Sequence, residues 1–410
     1  MAGLEKRAAR QRSRMLGELR RLGIEDARVL EAMDQVPRHA FVERFWRVPP
    51  SLEPSGGPEL QEYRVTDESS DTVLAQVYDA SAAILIRRSD PGVPATSSIS
   101  APVIVASMLS ELQLEPGQRV LEIGTGSGYN AALLAHLLGD PALVTTVDID
   151  PSLTTEAAER LRTLGYEGIE VRAGDGALGV PDRAPFDRII ATVGCVDLAP
   201  AWVTQLAPGG TMLVPLEHGA MHPRVLMWCD QSETRPGPAT LRGRFVGRSG
   251  FVRVQGIQAS RIIWPNESPP PTDPVTTPLP SAVAQVLDPS GLDRGNPVAA
   301  RAIWNFAIYL AVRDRRASRI MTLSDESSRA WIRSGGLATH GSLGPALGRR
   351  LLEIAADWID LGCPGLDRYA LRFEPIPSVA EGGGPDSKSS PWSIDRIDYR
   401  QHLTLDSPAP

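Results

Sequence analysis

The 410-residue chain predicts an α/β fold. Its centre is a doubly wound parallel sheet, preceded by helices and followed by a smaller α+β domain. Three observations carry that expectation. An apolar strand at Val120–Ile123 runs into three glycines at alternate positions and then into a stretch of helical period from Ala131. Short apolar runs recur after it at 143–148, 169–173, 185–192 and 206–215, as in alternating strand–helix units. Seven prolines between 265 and 280 then mark a linker, beyond which both helical and alternating patterns resume.

The first element is a pair of helices between about residues 4 and 34. Met15, Leu16, Leu19 and Leu22 form an apolar stripe, and Asp26 stands where a second helix through Val29, Leu30 and Met33 needs a cap. His39 follows in Val36–Val42 and is read as a surface residue rather than a base. Residues 46–95 carry Pro49-Pro50 and a Pro/Gly cluster at 54–58, the marks of loops. Within them 73–79 and 83–86 suit short strands or helical turns, and a loop region this long often serves as a lid or binding element.

Thr96, Ser97, Ser98 and Ser100 put four hydroxyls just before a helix expected over 103–114, with Pro102 at its start. Two readings stand side by side: simple N-capping, or a cradle of hydroxyls and helix-start N–H groups for an anion such as a carboxylate. Next comes Val120-Leu121-Glu122-Ile123-Gly124-Thr125-Gly126-Ser127-Gly128-Tyr129. Its spacing is G-x-G-x-G, not the G-x-G-x-x-G of dinucleotide sites. Asp148 ends the following strand about twenty residues on, where an acid accepts from ribose hydroxyls in nucleotide-binding units. Gly174-Asp175-Gly176 is a turn at the end of the third strand, and Thr192 lies at the end of the fourth.

Composition narrows the function classes. A net charge of −7 and a pI near 5.5 argue against a nucleic-acid binder working through a basic face. No apolar run approaches the roughly 20 residues of a membrane span. The Arg-rich first twenty residues lack an apolar signal core, so a cytoplasmic protein with a surface N-terminal helix is expected. Cys195, Cys229 and Cys363 are far apart and are expected to be free thiols; no metal-ligand spacing is present. His340 and His402 are isolated.

The glycine motif with Glu122 two residues before it resembles the first motif of class I S-adenosyl-L-methionine (SAM) methyltransferases, which have a Rossmann-like sheet. Several segments together resemble the protein-L-isoaspartate O-methyltransferase family: Thr96–Pro102, Leu121–Tyr129, Gly174-Asp175-Gly176, Ala184–Asp187 with Ile189-Ile190, and Arg28–Met33 with Val36-Pro37-Arg38. The resemblance covers about residues 12–217, with a weaker tail to about 258. It implies Ser100 as the active-site serine, with Ser98 as its companion hydroxyl. It implies cofactor contacts at Glu122, Gly124, Thr125, Gly126, Ser127, Gly128, Asp148, Ile149, Asp175, Gly176 and Thr192. The cofactor would be SAM, leaving S-adenosyl-L-homocysteine (SAH) as product. The family often has His where Val103 stands.

The expected organisation is an N-terminal and inserted region (1–95), a methyltransferase core (96–260), a Pro-rich linker (261–284) and a C-terminal accessory domain (285–410). The insertion and the extension resemble a branch found beside ribosomal-peptide maturation systems that make lanthipeptides, lasso peptides and ATP-grasp peptides. That resemblance implies methylation of an ordinary aspartate in a precursor peptide, the ester then closing to an aspartimide. The alternative is repair methylation of L-isoaspartyl residues. Partners are thus a peptide or protein carrying Asp or isoAsp, with no nucleic acid and no membrane; the oligomeric state stays open. A nucleic-acid methyltransferase is disfavoured because Thr192-Val193-Gly194 stands where an Asn/Asp-Pro-Pro-aromatic motif would be. Carboxylate methylation suits motifs without His or Lys. A carboxylate near pKa 3.9 is already ionised at neutral pH, so it needs orientation rather than a base.

Overall fold

The computed structural model describes residues 2–47, 60–87, 96–219, 221–229, 239–259, 273–290, 296–325, 327–376 and 392–405. The chain forms two compact units that interleave along the sequence. The first comprises Met1–Val193, Ala201–Leu213 and Phe251–Gly256. The second comprises Gly194–Pro200, Val214–Gly250 and Ile257–Pro410.

The first unit opens with helices α1 (Ala2–Arg21) and α2 (Ala27–Gln35). The Asp26 carboxylate accepts from the N–H groups of Arg28 and Val29 and so caps α2 as its sequence position predicts. The inserted region is more ordered than its loop-like sequence suggests. Strands β1 (Arg44–Arg47), β2 (Gln61–Arg64), β3 (Ile84–Arg87) and β4 (Ser97–Ile99) make an antiparallel sheet in the order β2-β1-β3-β4. Helix α3 (Asp71–Val77) lies between β2 and β3 in the chain and is capped by Ser70. The Pro/Gly cluster at 54–58 lies outside the described residues. His39 is a correction: it sits in a short 3-10 turn, buried, with Nδ1 2.8 Å from the Tyr78 hydroxyl. Burial lowers its pKa, which leaves the ring neutral.

Helix α4 (Pro102–Leu112) leads into the parallel strands. These are β5 (Val120–Ile123), β6 (Val144–Asp148), β7 (Glu170–Ala173), β8 (Phe186–Ala191) and β9 (Leu206–Pro215). Their spatial order is β7-β6-β5-β8-β9, with β5 central and parallel to both neighbours. Helices α5 (Tyr129–Leu138), α6 (Pro151–Thr163) and α7 (Pro200–Gln205) complete the set. Asp150 is the N-cap of α6, accepting from Ser152 and Leu153. Both β5 and α5 are apolar nearly all round because both are enclosed; Val120, Leu121, Ala131, Ala132, Leu133 and Leu134 are fully buried. Each large side chain so enclosed contributes about 1.5–3 kcal/mol.

In the second unit β10 (Arg224–Cys229) and β11 (Leu241–Gly247) form an antiparallel pair. A second sheet, in the order β12-β16-β15-β14-β13, is built from β12 (Val275–Thr277), β13 (Ala317–Arg319), β14 (Thr322–Asp325), β15 (Ser328–Arg333) and β16 (Gly336–His340). Helices α8 (Ser281–Leu287), α9 (Pro297–Arg313) and α10 (Gly344–Asp360) accompany it. The amphipathic α10 buries Leu347, Leu351, Ile354, Ala355 and Trp358 along one face. Strands β17 (Tyr369–Pro375), β18 (Ser393–Asp395) and β19 (Tyr399–Leu405) follow, and β17 pairs with β11 as well as with β19.

Part of the proline-rich interval, expected as a linker, is regular structure, since β12 pairs in register with β16 and α8 begins at Ser281; residues 260–272 lie outside the described set. Beyond it α9 is a single helix capped by Asn296. Among the described residues no helix is long and apolar enough to cross a membrane.

Candidate active site

The carboxyl ends of β5, β6 and β8 and the turn after β7 converge on one crevice, as open parallel sheets require. Gly124 follows β5 with φ +100°, and a Cβ there would stand 2.7 Å from Thr192 Oγ1 and 3.1 Å from Val193 Cγ1. Only glycine lets the backbone pass under the end of β8 at this point. Thr192 closes the arrangement by donating from its hydroxyl to the Gly124 carbonyl at 2.7 Å. Asp148, at the end of β6, accepts from Gly126 N–H at 2.9 Å through Oδ2 and from Asp150 N–H at 3.1 Å through Oδ1. Asp175 accepts from Ala177 N–H at 2.9 Å, and the Gly176 carbonyl accepts from the Trp202 indole at 2.7 Å. Turn, strand end and carboxylate are thereby held in one register.

The resulting crevice, about 650 Å³ of space open to solvent, is lined on the sheet side by Gly124, Gly126, Asp148, Ile149, Asp175, Gly176 and Thr192. The four hydroxyls before α4 supply Thr96, Ser97 and Ser98, and Val252–Gln255 completes the wall. A second hollow of about 490 Å³ contains Ser98, Ser100, Glu122, Thr125, Ser127, Asn130 and Phe251. Ser98, Gly124, Gly126 and Thr192 line both. The two spaces meet at the glycine turn.

A family model described as Protein-L-isoaspartate(D-aspartate) O-methyltransferase matches residues 79–240. Protein-L-isoaspartate O-methyltransferase 1 of Syntrophobacter fumaroxidans is 35% identical over 234 residues, 57% of this chain and 88% of its own length. The Methanopyrus kandleri enzyme is 33% identical over 258 residues, 62% of this chain and 96% of its own. A solved protein-L-isoaspartate O-methyltransferase chain superposes with a TM-score of 0.49 at 21% identity, covering 88% of this chain and 96% of that one. This chain belongs to the protein-L-isoaspartate O-methyltransferase family. It is an enzyme and uses SAM, and its family acts on proteins carrying isoaspartate.

In this methyltransferase Glu122 is completely enclosed. Asn130 Nδ2 donates to Oε1 at 2.8 Å and Thr146 Oγ1 to Oε2 at 2.7 Å. Desolvation outweighs both bonds and pushes its pKa up to about 7, with the nearby Asp148 adding in the same direction. Among the described residues no group of three or more His, Cys, Asp or Glu is placed to hold a metal ion.

Two residues of this region have other surroundings. Gly128 lines neither space; it is the N-cap position of α5, packed where a Cβ would stand 3.2 Å from Leu161 Cγ. Ser100 does not cap α4, whose N-cap is Ala101 with no side-chain bond, so of its two readings the capping one falls away.

Two contributions were missed from the sequence. The 251–256 segment returns to the crevice from far along the chain; its only signal is the weak tail of the family resemblance. Arg38 is the other. Fully buried, it donates to the carbonyls of Val77 at 2.8 Å and Ser100 at 2.9 Å and lies over the Tyr129 ring at 5.3 Å. It pins the serine segment through backbone carbonyls, a role that its place in the Val36-Pro37-Arg38 segment does not announce.

Proposed function

We propose that this enzyme methylates the free carboxylate of L-isoaspartyl residues in peptides and proteins, the repair reaction, with cofactor and substrate in the two adjoining spaces. The observation that carries the proposal is the shared wall. Ser98 and the glycine turn border both spaces, so a group transferred from one to the other crosses beside them. The larger space suits SAM. Glycine is demanded at Gly124 by close approach, carboxylates stand at Asp148 and Asp175, and Val147, Ile149, Val252 and Val254 offer apolar walls for a purine.

Asp148 would accept from ribose hydroxyls and Asp175 from the adenine amino group. Gly124, Thr125, Gly126, Ser127, Ile149, Gly176 and Thr192 would contribute backbone and contact surface, with Glu122 beneath them. When bound, SAM supplies an electrophilic methyl group and is left as SAH. The chain's own task is orientation. The hydroxyls of Ser98 and Ser100 donate to an already ionised carboxylate, fixing it without neutralising it. Such positioning contributes up to about 7–11 kcal/mol. The following backbone nitrogen attacks the ester carbonyl, the methoxy group leaves with the amide proton as methanol, and a succinimide closes without further help from the protein.

Methylation of an ordinary aspartate in a dedicated precursor is the second reading, the one the sequence places first. What favours it is the second unit, since the Methanopyrus kandleri relative matches only 62% of this chain. The repair reading is preferred because relatives matched over 88% and 96% of their lengths carry that name. Mass spectrometry of paired reactions with SAM decides between them. One holds an L-isoaspartyl peptide, the other its aspartyl counterpart and the modified precursor peptide encoded nearest this gene. Methyl gain on the isoaspartyl peptide alone is expected. Methyl gain followed by loss of methanol, a net loss of one water, on the precursor alone would overturn repair in favour of aspartimide formation.

A further inference from the structure

A third hollow, a solvent-open groove of about 960 Å³, lies beside the glycine turn in the first unit. The inserted sheet builds one wall with Arg44, Arg64 and Arg87, and α6 builds the other with Glu156 and Arg160. Ser127 lines this groove as well as the hollow that holds Ser100. Four arginines thus face one depression, against Glu43 and Glu156, on a chain whose net charge is −7.

Two of them are held in an unfavourable arrangement. Arg44 and Arg64 are direct cross-strand partners in the β1–β2 pair. Like charges opposite each other destabilise an antiparallel pair. Arg44 stacks over the Trp46 ring at 4.9 Å, and among the described residues Arg64 is bridged only to the neighbouring Glu62 at 3.1 Å, a pair that is largely exposed. Exposed bridges of that kind add little and exchange readily for a better partner. Deeper in the groove the other two are anchored. Arg160 donates to the Ser127 carbonyl at 3.1 Å, and Arg87 to Glu156 and to the Ser152 hydroxyl.

We propose that this groove is a substrate subsite for acidic residues flanking the methylated position, with Arg44 and Arg64 as the specificity-determining pair. A carboxylate between two guanidinium groups relieves their repulsion and gains charge-assisted hydrogen bonds. The inference rests on the isoaspartyl reading above for the reaction, but on the groove alone for the binding.

The test uses the full chain, saturating SAM and two L-isoaspartyl peptides that differ only in flanking glutamates or glutamines. The glutamate peptide is expected to show a KM about 10-fold lower with similar kcat, and the difference to shrink as salt rises. In Arg44→Gln/Arg64→Gln that preference falls to within about 2-fold, while the glutamine peptide is processed as before, which also shows that the variant folds. Equal KM values for the two peptides in the wild type would overturn the subsite. Fluorescence anisotropy of the same labelled peptides with SAH present separates the two ideas. Preferential binding of the glutamate peptide without methylation keeps the groove and removes the isoaspartyl reaction. Equal binding, or no binding, removes the groove whatever the reaction.

Discussion

Gly256 approaches Asp175 so closely that a Cβ on it would stand 2.2 Å from the Asp175 Oδ2 atom. Its φ of +75° also lies in the left-handed region. The glycine lets the 251–256 segment lie against the turn carboxylate and close the wall of the larger cavity. Gly256→Ala therefore meets backbone strain of about 1–2 kcal/mol together with a clash at Asp175. The expected outcome is a folded protein whose SAH affinity by isothermal titration falls by about 10-fold or more. Unchanged affinity would mean that the segment does not bound the cofactor space.

Ser100 presents a different case, because its backbone is held by buried Arg38 while its side chain borders the smaller hollow. Ser100→Ala should leave SAH affinity within about 2-fold and lower kcat on an isoaspartyl peptide by about 10-fold or more, the scale of one lost hydrogen bond to a charged group. Equal losses in SAH affinity and turnover would make it a structural residue.

These two residues also show what the sequence makes legible. The glycine turn, Asp148 and the succession of strands along the chain follow from local constraint: close backbone approach demands glycine, and strand ends place their acids. Gly256 has no such local signature, since the atom that forbids a side chain there belongs to a residue some eighty positions earlier. The inserted sheet was hidden because its strands are three or four residues long, too short for alternation to declare itself. His39 was misread for a related reason: a single 3-10 turn has no periodic face, so nothing in the chain announces that it is covered by Tyr78.

Glu122 couples the site to pH. The folded protein holds its proton more tightly than the unfolded chain, with a pKa of about 7 against an ordinary 4.5. Its contribution to stability is thus complete below about pH 4.5 and is lost as pH rises through 7. Glu122→Gln keeps an acceptor for Asn130, and Thr146 can turn its hydroxyl toward Thr125, 2.8 Å away. The variant should match the wild type at pH 5 and exceed it at pH 8 by on the order of 2–3 kcal/mol in denaturant unfolding. A constant difference between the two pH values would show that the carboxyl does not titrate in this range.

Arg396 performs the corresponding task in the second unit. It is buried and donates to the Val196 carbonyl at 2.7 Å, the Glu217 carbonyl at 3.0 Å and Gln401 Oε1 at 2.8 Å. Asp197 beside it accepts from the N–H groups of Leu198, Ile397 and Asp398, so two stretches far apart in sequence are clasped by the hydrogen bonds of these two side chains. Burial still lifts the Asp197 pKa to about 6, above its ordinary 3.8, even with the guanidinium nearby. Arg396→Met removes the compensating charge and leaves three carbonyl or amide oxygens without their donor. At pH 8 the loss should be about 3–5 kcal/mol, the usual result of orphaning a buried ion. It should be smaller at pH 5, because Asp197 then takes up a proton and its uncompensated charge vanishes; a folded pKa raised further in the variant only widens that window. Unfolding curves at the two pH values check both points. A loss that is equal at pH 5 and pH 8 would assign the effect to lost hydrogen bonds alone and remove the charge of Asp197 from the account.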